Sequence, residues 1–192
     1  GQLLIDTKFL GDYSIDISDF SEGIYFITFS VIGWIDIFTR NRYREIFVES
    51  LNYCIQNKGL TVYSWVLMSN HVHLVAKAEK GNLSDIMRDL KRHTSKSILK
   101  NINEVGESRS KWILFLFKEA GARNSNNKDF QFWQQDNHPV ELSSNEMIDQ
   151  KIEYTHLNPV TNGMVSSPEH YVYSSAIDYC GEKGLVKITV ME

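Results

Sequence analysis

Cysteine is scarce: Cys54 and Cys180 are the only two, far apart and without Cys-x-x-Cys spacing. That pattern excludes a disulfide framework and a zinc ribbon, and makes a reducing cytoplasm the default expectation. No apolar run comes near the roughly 20 residues that span a membrane, and no charged-then-apolar leader opens the chain, so no membrane association is expected. The chain starts at Gly1 rather than Met, which lowers the weight of the missing leader. Internal repeats and low-complexity linkers are absent too. With 192 residues, 42% of them hydrophobic, the expectation is a soluble globular protein of one domain with arms, able to bury a real core.

An overall excess of positive charge is also missing: the formal net charge is -4. The average hides a segregation. Residues 1–37 carry one Lys/Arg against six Asp/Glu, and residues 134–192 carry three against nine, whereas residues 38–133 carry sixteen against nine. A basic centre between acidic ends can still attract phosphates, because the local field steers a ligand. An unevenly charged, solvated surface is the plain alternative.

Residues 1–22 read as an irregular acidic arm. The run "IYFITFSVIG" from Ile24 has the β-branched and aromatic composition of a strand. Tyr43, Phe47, Leu51, Cys54 and Ile55 recur at helical spacing and stop at Gly59, a natural C-cap. "LTVYSWVLM" and "HVHLVAKA" read as two strands of a hairpin joined by a tight turn at Ser69 and Asn70. Leu83, Ile86, Met87, Leu90, Thr94 and Ile98 form one stripe of a helix over 82–100, with basic residues off the stripe. "KWILFLFKEAG" is a further short apolar segment. "FQFWQQDNHPVEL" is strand-like until Pro139 interrupts it. The S-x-x-E spacing of Ser143 and Glu146 predicts a capping box for a helix that runs to Asn158, where Pro159 ends it. This order is not a regular βαβ alternation. It predicts an α+β fold with a mostly antiparallel sheet and helices packed on it, in the ferredoxin-like manner. The domain is expected over 23–160, with 161–192 as an extension packed on it.

Within "MSNHVHLV", residues 68–75, His71 and His73 lie two apart on a strand and so share a face. Two imidazoles on that spacing can chelate one ion, or can be two hydrogen-bonded residues of a half-exposed sheet. On the last helix Tyr154 and Asn158 are four apart and share a face, with Ile148 and Ile152 turned toward a core. That places a phenol beside an amide oxygen, or it is an ordinary amphipathic helix with Asn158 near its end.

"WVLMSNHVHLV", followed later in the chain by "KIEYTHLNPVTNG", resembles the REP-associated tyrosine transposases. These are relatives of the single-tyrosine insertion-sequence transposases in the HUH endonuclease superfamily. The likeness covers roughly Ile24 to Met164 and extends to the "FWQQ" and "YSSA" stretches. It implies a metal-dependent single-stranded DNA endonuclease and strand transferase that forms a 5′-phosphotyrosine, often beside a DNA hairpin. Carried over by motif, the nucleophile falls on Tyr154 and the metal ligands on His71, His73 and Asn158. Such a mixed nitrogen and oxygen set suits Mg²⁺ or Mn²⁺. Arg88, Lys91, Arg92 and Lys96 are candidate phosphate contacts and Trp133 a candidate for stacking on a base, against the alternatives of a solvated helix face and a core aromatic. His93, His138 and His170 have no evident partner. Insertion-sequence relatives pair two subunits while the REP-associated branch can be self-contained, so homodimer and monomer both stay open. Two other readings compete: a domesticated hairpin-DNA-binding protein without cleavage activity, and a zinc enzyme of unrelated chemistry in which Tyr154 is a bystander.

Overall fold

The aromatic and β-branched run after Gly23 forms β1, Tyr25–Ser30, whose residues alternate between two buried layers. The computed structural model describes residues 23–104, 108–124, 129–135 and 139–192. The arm expected over 1–22 and His138 lie outside them. After β1 come α1 (Asn41–Asn57), β2 (Leu60–Leu67), β3 (His71–Ala78), α2 (Leu83–Glu104), α3 (Ser110–Ala122), β4 (Val140–Glu141) and α4 (Asn145–Thr161). The strands pair antiparallel throughout in the order β2-β3-β1-β4. Two central strands, β1 and β3, with a helix crossing from β1 to β2 and a hairpin from β2 to β3, make the expected ferredoxin-like α+β arrangement.

Side-chain alternation divides the molecule at the sheet. Ile27 and Phe29 of β1 and Val72, Leu74 and Ala76 of β3 face the larger core, which α1 and α2 close with Phe47, Leu51, Met87 and Leu90. Phe26 and Val75 face the other way and meet Ile148 and Ile152 of α4, together with Tyr63 and Leu142. Since His71 and His73 keep step with Val75, they lie on the α4 side.

Local details depart from the sequence expectation in three places. The N-cap of α4 is Ser144, not Ser143: its hydroxyl accepts from Met147 N at 3.2 Å. Pro159 does not end the helix, which continues to Thr161. Pro159 cannot donate to Thr155 O, but Asn162 N closes the last turn on Asn158 O at 3.0 Å, and the left-handed Gly163 then stops it. The strand-like "FQFWQQ" makes only an isolated bridge, Val31 with Trp133, and the short β4 lies beyond Pro139.

The C-terminal residues run back over the sheet. Leu67 N donates to Tyr173 O, Thr189 N to Val62 O, and Val186 enters the larger core. Ser175 of "YSSA" sits between layers: its hydroxyl accepts from Trp65 N and pairs with His156 Nε2 of α4 at 2.7 Å. Among the described residues no helix is long and apolar enough to cross a membrane.

Candidate active site

The hairpin sets the first half of the site. A two-residue turn at Ser69 and Asn70, closed by Met68 N to His71 O at 2.8 Å, starts β3 at His71. Pairing with β1 then puts His71 opposite Ser30 and His73 opposite Thr28. The two imidazoles lie with ring centroids 4.9 Å apart. Each has its Nδ1 engaged: His71 donates to Asn70 Oδ1 at 2.8 Å, and His73 pairs with Thr28 Oγ1 at 2.6 Å. A ring held through Nδ1 presents Nε2, and such outer partners orient imidazoles that bind metals. Burial pushes the His73 pKa down to about 3, with the charges of His71 and Lys151 acting in the same direction. Burial also lowers that of His71, against a hydrogen bond with Asn158 that raises it. Both rings are therefore neutral at physiological pH, the form that ligates metals.

The second half is α4. Its apolar face packs on Phe26 and Val75 through Ile148 and Ile152, which turns Tyr154 and Asn158 toward the histidines. The Tyr154 ring lies 5.3 Å from the His73 ring and 5.8 Å from Phe26, centroid to centroid, and 48% of the residue is exposed. Asn158 is buried, hydrogen-bonds the His71 ring, and its Oδ1 accepts from Asn162 Nδ2 at 3.2 Å. His71, His73, Tyr154 and Asn158 are thus brought together. No cluster of three His, Cys, Asp or Glu side chains forms among the described residues, so a third ligand beside the pair would be an amide oxygen. Two imidazole nitrogens and the Asn158 oxygen fit a divalent ion that accepts mixed donors.

The candidate DNA contacts are dispersed. Trp133 is a core residue, 6% exposed, its Nε1 bonded to Thr94 and its ring stacked on Phe38, so it offers no face to a base. Lys91 is buried with its ammonium 5.5 Å from the Phe29 ring centroid, and Arg88 is paired with Asp85 and Asp89. Arg92 and Lys96 are exposed, but α2 lies across the sheet from the histidines. His93 lines a cleft between α1 and α2 of about 630 Å³, and His170 lies in a short 3-10 turn, both apart from the pair.

Two neighbours of the site were not foreseen. Lys151, one turn before Tyr154, holds its ammonium 4.6 Å from the Phe26 centroid and 5.4 Å from that of Tyr154. The i, i+3 spacing on α4 could have found it. Trp34 is 58% exposed with its ring 6.3 Å from that of His71, and it takes φ +54°, a left-handed conformation that costs a bulky residue on the order of 1–3 kcal/mol. No spacing rule links it to the histidines.

The family model described as "Transposase IS200 like" matches residues 22–120, more than half the chain and including both histidines. The chain belongs to the IS200-like transposase family. This family membership is joined by a likeness of fold: a solved structure of a REP-associated tyrosine transposase bound to a REP hairpin superposes with TM-score 0.62 over 95% of this chain and 97% of that one, at 12% identity. No curated protein matches. The family match ends before α4, so Tyr154 and Asn158 rest on the geometry described above and on their motif.

Proposed function

We propose that this IS200-like transposase cuts and rejoins single-stranded DNA through Tyr154, at sites flanked by hairpins, with residues 23–160 as the catalytic domain and 161–192 packed on it. The observation that carries the reading is the position of an exposed phenol 5.3 Å from the ring of a buried, neutral histidine whose partner His71 contacts Asn158. His71, His73 and Asn158 would hold Mg²⁺ or Mn²⁺. Bound there, the ion supplies charge neutralisation at a phosphate that otherwise repels a nucleophile.

The rest falls to the chain's own groups. Tyr154 Oη attacks the phosphorus, the P–O3′ bond breaks, and the 5′ phosphate stays on the tyrosine while the 3′ oxygen takes a proton from solvent and leaves as a hydroxyl. The phenol proton passes to solvent, to which Tyr154 is open. Lys151 places a positive charge beside the ring, where it attracts the phosphate. Because one phosphoester replaces another, a second 3′-hydroxyl can reverse the reaction and join strands without ATP.

Incubation of the protein with end-labelled hairpin oligonucleotides carrying single-stranded flanks, in Mg²⁺ or Mn²⁺, is expected to give an adduct that survives denaturation. Tyr154→Phe removes it, and His71→Ala removes it while hairpin binding persists. The same adduct from Tyr154→Phe, or hairpin binding with no adduct from any variant, overturns the proposal and leaves a binding protein.

A further inference from the structure

We propose that Trp34 is a stacking platform for a nucleobase of the bound strand, next to the phosphate engaged at His71 and His73; the location rests on the function proposed above. Of the four tryptophans, Trp65 and Trp133 are buried in the larger core, and Trp112 lies on the outer side of α3. Trp34 alone stands beside the site, its ring edge-on to His71. Exposure of so large an apolar ring gives up burial energy, and the backbone adds strain, since Gly33 and Trp34 are both left-handed in succession, at φ +61° and +54°.

The loop that presents the ring is nonetheless held firmly. Trp34 N donates to Val31 O at 3.1 Å, Ile35 N to Ile32 O, and Val31 N to Asn70 O. Asn70 joins the loop to the site: its Nδ2 donates to Trp34 O at 3.3 Å and to Asp36 Oδ1 at 3.1 Å, while its Oδ1 accepts from His71 Nδ1. One amide therefore fixes both the tryptophan and the first histidine. Stacked nucleotides follow one another at about 3.4 Å, so a ring centred 6.3 Å from His71 is within reach of a base one or two nucleotides from the phosphate. A base offers a π-face whatever its identity, so this contact grips single strands without reading sequence.

The test uses the full chain carrying Tyr154→Phe, so that binding is read without cleavage. Kd for fluorescein-labelled single-stranded oligonucleotides in Mg²⁺ is measured by anisotropy, together with a series in which one abasic site is moved along the strand. Trp34→Ala is expected to weaken binding about tenfold or more, Trp34→Phe to stay within about threefold, and Trp112→Ala to change nothing. Abasic sites at one or two adjacent positions should abolish the difference that Trp34→Ala makes. Unchanged binding by Trp34→Ala, a loss that no abasic position reduces, or no measurable strand binding with Trp34 intact overturns the inference. Adduct formation by the Tyr154 protein without any Trp34 effect sinks this inference alone. A Trp34 effect without an adduct sinks only the cleavage reading.

Discussion

An imidazole that must stay neutral and aimed needs a partner on one nitrogen and dry surroundings on the other. Here Thr28 and Asn70 provide the partners and the sheet provides the burial. His156 shows the same physics away from the ligand set: burial pushes its pKa down to about 4 from the ordinary 6.5, while Ser175 takes its Nε2. The folded value is below the unfolded one, so the unfolded chain takes up the proton first as pH falls. Stability is fully present above about pH 6.5 and is lost between there and pH 4, with a slope approaching 1.4 kcal/mol per pH unit for each such ring. His73 acts in the same direction to lower pH. Urea unfolding at pH 7, 6, 5 and 4.5 should record this decline, and His156→Gln should make it shallower while His73 keeps its share. A pH-independent midpoint across that window would show that the buried rings do not carry the linkage.

At the scale of elements, the junction between α1 and β2 depends on Gly59. It takes φ +72°, and a Cβ there would lie 2.7 Å from the Cβ of Lys80. Gly59→Ala is expected to cost about 1–3 kcal/mol in denaturant unfolding, with little change in activity per folded molecule, because Leu60 pairs with Ala78 at the end of the sheet away from His71. Equal stability of the two proteins would mean that the turn relaxes freely. Much of this layer could be read from the chain. Period two placed His71 and His73 together, and the four-residue spacing placed Tyr154 beside Asn158, because each rule operates inside one element. Thr28 and Asn70 escaped because their contacts depend on strand register and on a loop packed against a turn, neither of which a local pattern encodes. Trp133 stayed open between stacking and core for a related reason. An aromatic in a strand-like run looks the same in sequence whether its face of the sheet is covered or open, and here α2 covers it through Thr94.

For the whole molecule, the sheet separates part of the basic centre from the site: five of its sixteen Lys/Arg residues lie on α2, across the larger core from the histidines. Charge reversal of the two exposed candidates, Arg92→Glu with Lys96→Glu, should therefore leave the cleavage rate of a short unstructured strand within about twofold, in an assay at fixed ionic strength because phosphate contacts are salt-dependent. A loss as large as that of His71→Ala would show that the strand passes over α2. The division into two faces also gives the Ser69–Asn70 turn a parity. A strand has only two sides, so an inserted residue taken up by a one-step slip of β3 would send both imidazoles into the apolar layer and bring Val72 and Leu74 out beneath Tyr154. Among length changes in this hairpin, an odd one keeps the chemistry only if the loop itself absorbs it, whereas a slip of two would restore the facing but move the pair along the sheet, away from Thr28.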